Sequence, residues 1–151
     1  MQRQSLLVTL LAAALAAAVP INPAAAGEGP GLVALMGHLQ YYAHKLGLAV
    51  SAQNKVLQGY YVHEVEEVIE ALEEIEKSDE VEIAKLVKVN LVPAFEALEQ
   101  AVGAGDQERV DVAYEGLLSA CNTCHKAANR PYIHIVRQTG NPYMQDFKPT
   151  P

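Results

Sequence analysis

Cys121-Asn122-Thr123-Cys124-His125 is the one segment of this chain whose residue types and spacing specify a chemistry. Two thiols separated by two residues can each add to a vinyl group of haem, and the imidazole that follows then reaches the iron from one side. Thioredoxin-like redox chemistry also uses CxxC, but at the start of a helix in a βαβ setting. Here the pair falls near the end of a helical pattern, in a chain almost without strand signals. A disulfide between these cysteines would close a loop of only two residues and staple nothing. A zinc site would need another ligand nearby, and His38, His44, His63 and His134 are far off in sequence. The spacing therefore predicts one covalent haem c on Cys121 and Cys124, with His125 as the proximal iron ligand.

Such a group has to be held by helices that bury one face against each other, and the chain supplies four of them. Apolar residues recur at steps of three and four along Leu32, Leu35, Met36, Leu39, Ala43, Leu46 and Val50. Further stripes run Leu57 to Ile75, Ile83 to Val102, and Val110 through Tyr114 and Leu117 to Cys121 and Cys124. Four amphipathic segments of similar length predict an all-α fold, an antiparallel four-helix bundle over residues 27–130. Pro30 suits a first helical turn. Asp79 followed by Glu82 reads as a capping box opening the third helix. Gly103-Ala104-Gly105-Asp106 reads as stop, turn and new N-cap. The break near Ser51 to Asn54 carries the weakest signal. Pro93 inside the third stripe should kink that helix, because it has no N–H to give the preceding turn. The last helix should end before Pro131, leaving residues 131–151 as a tail. Its stretch Tyr132-Ile133-His134-Ile135-Val136 is too apolar for plain exposed coil and is expected to pack back onto the bundle.

The first 26 residues read differently. Arg3, an apolar run from Leu6 to Val19, and Ala24-Ala25-Ala26 before Gly27 have the layout of a cleaved secretory signal peptide. The run is shorter than the ~20 residues of a spanning helix, so no membrane span is expected after cleavage. Export to a periplasm agrees with the haem reading, because bacterial c-type haem attachment takes place outside the cytoplasm. Without Arg3, ten of the 11 bases remain against 18 acids, a formal balance of −8. That disfavours nucleic acid, which needs a basic face. Ten carboxylates and the single base Lys77 lie between Glu64 and Glu82. They form a solvated helix face or, on a sharper reading, a docking patch for a basic redox partner protein.

Four helices with CxxCH near the end of the last resemble the cytochrome c′ family and its low-spin relatives. The similarity in residues lies in Ala101-Val102-Gly103-Ala104-Gly105-Asp106 and in Ala113 to Cys121. The family commonly carries Tyr and a basic residue three and four positions after the haem-ligating His; this chain has Ala128 and Asn129 there, with Lys126 and Arg130 the nearest bases. The resemblance implies a haem pocket walled by the first helix, and dimers are common in the family, so a homodimer is one candidate assembly. Leu32, Leu35 and Leu39 would form the distal pocket wall. Met36 matches the family's distal Met ligand, with ordinary core packing as the alternative.

His38 should point to another face. His44 and His63 should sit about a dozen residues along from the haem end, on the order of 18 Å away, which makes them poor haem ligands. Those two with Glu64, Glu66 and Glu67 suggest a secondary metal site, but the Glu-x-x-His pairs of di-iron bundles are absent. His134 would reach the iron only if the tail folded over the pocket. No nucleophilic triad or phosphate loop is present, so the expectation is a non-enzymatic haem protein. Electron transfer through a His125/Met36-ligated iron comes first, and diatomic gas (NO or CO) binding at a five-coordinate haem is the alternative. A non-haem metal or partner-binding bundle is the rival from another class.

Overall fold

Each apolar stripe becomes one helix of a bundle. The computed structural model describes residues 31–150, so the leader, its cleavage site and Pro30 lie outside the described residues. Helix α1 is Leu32–Ser51, α2 is Lys55–Glu73, α3 covers residues 83–104 and α4 is Gln107–Ala127. No strand forms among the described residues, and no helix there is long and apolar enough to cross a membrane. Leu46, Val50, Val65, Leu72, Leu98, Val110, Tyr114 and Leu117 are the largest fully buried side chains, and every one belongs to the predicted stripes.

The joints follow local chemistry. Between α1 and α2 the chain turns through Gln53 in a left-handed conformation (φ 54°), and Asn54 caps α2 by accepting from Leu57 N at 3.2 Å. Gly105 (φ 68°) stops α3, as only glycine does without strain, and Asp106 caps α4 through Arg109 N. The capping box expected at the start of α3 is not made. Ser78 and Val81 pair their backbones, which puts Asp79 at the tip of a tight turn with φ 53°. Its carboxylate therefore reaches Arg130 at 3.3 Å, and Glu82 opens α3 without a side-chain cap.

Pro93 acts one turn earlier than itself. α3 is an α turn, Ile83–Leu86, a wider π turn, Val87–Leu91, and an α segment, Val92–Ala104, with Pro93 in the first turn of that last segment. A proline clashes with the carbonyl four residues before it and offers it no proton; widening the turn relieves both conflicts. Leu86 O then accepts from the Asn90 side chain at 3.0 Å.

α1 packs mainly on α2 and α3 on α4, whereas α1 and α4 meet over a shorter stretch. The tail lies across them as an extended strand of chain without secondary structure. Arg137 binds Asp111 and Glu115 of α4 and the Ser51 hydroxyl, while its guanidinium lies 5.1 Å from the Tyr114 ring centre. Asn54 donates to the carbonyls of Phe147 and Lys148, and Phe147 is buried. The tail thus packs on the bundle, but Tyr132 and Val136 stay exposed; Ile135, Arg137, Tyr143 and Phe147 are its anchors.

Candidate haem site

Near the end of α4, Cys121 and Cys124 share with His125 one wall of a cavity of about 410 Å³, within the size range of small-molecule sites. Leu32, Met36 and Leu39 of α1 form another wall. The start of α3 adds Ile83, Leu86, Val87 and Leu91, and the chain after α4 adds Arg130, Ile133 and Ile135. The lining is overwhelmingly aliphatic. A neighbouring cavity of about 330 Å³ between α1, α4 and the tail shares Gly37, Gln40, Ala43, Leu118 and Ile135 with it and is bordered by His44 and His134.

The two cysteines are unbonded to each other. Burial, with the neighbouring Cys124 as a second cause, pushes the Cys121 thiol up to about 12, and burial raises Cys124 as well. Redox-active CxxC pairs have the opposite character, with a thiol pKa lowered into the range of about 3.5–7.5. Protonated thiols facing an apolar cavity suit addition to a hydrophobic, unsaturated group. Cys124 Sγ also faces Leu86 O at 3.6 Å, so the last residue before the π turn of α3 touches the motif directly.

His125 Nδ1 lies 3.0 Å from Ile133 O. A carbonyl oxygen only accepts, so the proton sits on Nδ1 and the lone pair of the neutral ring is on Nε2, the nitrogen free to bind a metal. Cys121, Cys124 and His125 could hold a haem covalently and by its iron, and the apolar walls would enclose its macrocycle.

The sequence-derived site residues divide. Leu32, Met36 and Leu39 line the cavity with the CxxCH motif, but Leu35 does not; at 4 % exposure it faces the core between the helices. His38 is exposed, as its position predicts. His44 and His63 are not brought into a common site. His44 donates from Nε2 to Gly140 O and accepts from the Tyr143 hydroxyl on Nδ1, while His63 meets Glu66 and Glu67 of its own helix. Among the described residues no group of three or more His, Cys, Asp or Glu could hold a metal ion. Gln40, Ile133, Ile135 and the π-turn residues were missed as site residues. Pro93 was the available signal for the π turn, and Pro131 for the returning tail.

Scanned against known protein families, curated proteins and solved structures, the chain matches none.

Proposed function

We propose that this chain is an exported, periplasmic c-type cytochrome of the cytochrome c′-like kind, an antiparallel four-helix bundle carrying one covalent haem and serving electron transfer. One observation carries the reading: Cys121, Cys124 and an Nδ1-protonated His125 share one wall of an apolar cavity into which Met36 also opens. Bound there, haem supplies a one-electron iron couple. Cys121 and Cys124 would tether it, His125 Nε2 would bind its iron, and Met36 would offer a thioether sulfur from the opposite helix. The aliphatic side chains of α1 and α3 exclude water and limit rearrangement on a change of charge. The acidic run of α2 ends in the Ser78–Val81 turn at the cavity rim, which supports docking of a basic redox partner beside the haem edge.

The second reading, gas binding, is favoured by the walls formed by Leu32, Leu39, Leu86, Val87 and Leu91, which would leave an open iron position in apolar surroundings. The optical spectrum of protein matured in a periplasm with haem-attachment machinery separates the two. Sharp, split reduced bands unaffected by CO support the electron carrier. Broad reduced bands that shift with CO support the gas-binding reading. Protein without covalent haem overturns both.

A further inference from the structure

We infer that the chain after α4 is a proximal strap: it positions His125 from outside the bundle and sets the basicity of its imidazole, with Asn122 as the residue that keeps the strap in register. The inference rests on the haem reading above. It assigns a role to the tail and to a middle residue of the CxxCH motif.

Three sequence features build the strap. Asn129 adopts φ 58°, a conformation Asn tolerates better than most residues. This reverses the chain at the helix end, so Asn129 N bonds to Lys126 O and Arg130 N to His125 O at 2.7 Å. Pro131 then occupies the second position of a turn closed by Ile133 N to Arg130 O at 3.0 Å, where its fixed φ is favourable. This second reversal brings Ile133 O back onto His125 Nδ1. Finally Asn122 acts like a neighbouring strand. Its amide donates to Ile135 O at 2.8 Å and accepts from Ile135 N at 2.7 Å. Asn122 is one turn before His125 on α4, so the clamp and the ligand are fixed on the same rigid rod.

The consequence is chemical. A metal-ligating histidine whose second nitrogen donates to a carbonyl is held in one tautomer and one orientation, and becomes a stronger base. A more basic imidazole favours ferric over ferrous iron. Slackening the strap should therefore raise the reduction potential, with no change to any group that touches haem.

The test is potentiometry on the full-length holoprotein, with Asn122→Leu as the near-isosteric, uncharged variant. Asn122→Ala serves if Leu is not accommodated, since Ala is the best helix former. Met144→Ala, in a fully exposed side chain of the same tail, is the control. An upward shift in both Asn122 variants and none in the control is the expected result. A tenfold loss of ferric preference reads as about 59 mV for a one-electron couple. Amide exchange at Ile135 should accelerate in the same variants. Covalent haem with an unmoved potential while Ile135 exchange accelerates would overturn the strap's role and leave the haem reading standing. A wild-type chain that carries no haem would overturn both.

Discussion

At the scale of single residues, environment decides what a familiar motif does. Cys121 and Cys124 are partly buried thiols whose protonated form burial favours, not activated nucleophiles, and this suits a covalent tether better than disulfide exchange. In haem-free protein burial pushes the Cys121 thiol up to about 12, whereas in the unfolded chain it returns to the ordinary thiol range, about 8.5. The unfolded state then binds fewer protons, so stability should fall as pH rises through this window. Replacing Cys121 by Ala should flatten that decline in urea titrations run from pH 8 upward; an unaltered slope would contradict the burial argument. Met36 raises a different question, because a thioether lining a cavity either fills space or binds iron. Met36→Leu keeps the volume and removes the sulfur. The expected outcome is a high-spin spectrum and a lower reduction potential, and an unchanged spectrum would leave Met36 as packing alone.

At the scale of elements, one helix departs from regularity beside the site and two others meet through a glycine. The π turn upstream of Pro93 places Val87 and Leu91 on the cavity and leaves Leu86 O facing Cys124. α1 and α4 approach closely at Gly47, where a Cβ would overlap the Tyr114 hydroxyl. That hydroxyl cannot easily move: it is buried and donates to Ala43 O at 3.0 Å. Gly47→Ala should therefore lose about 1–3 kcal/mol by overpacking, more than it gains from helix propensity. Chemical denaturation measures the loss. The penalty should shrink in a Tyr114→Leu background, because neighbours that share a clash do not act additively.

At the scale of the whole molecule, bundle and tail form one unit around a large apolar cavity. Arg137, Asn54, Tyr143 and Phe147 tie the tail to α1, α2 and α4, so the helices and the strap should melt together. If the cavity of about 410 Å³ houses a covalent haem, losing it removes a major part of the core. Replacing Cys121 and Cys124 together by Ser should lower and broaden the thermal transition seen by calorimetry. A double variant as stable as the parent would instead favour the bundle that needs no haem.

The stripes, the glycine and aspartate punctuation around residue 105, and the CxxCH motif were all legible without coordinates. Each depends on local periodicity or on residues adjacent in the chain. The same reasoning misplaced Asp79 and Leu35, because a paired Ser78–Val81 turn and the rotation of α1 about its axis are set by packing partners far away in sequence. It expected a kink at Pro93, but not that the strain would emerge upstream as a π turn against the cysteines. An apolar tail signalled contact with the bundle and said nothing of where. Only the tertiary structure decided that Ile133 O meets His125 and that Asn122 holds Ile135, since both bonds join residues brought together by two chain reversals.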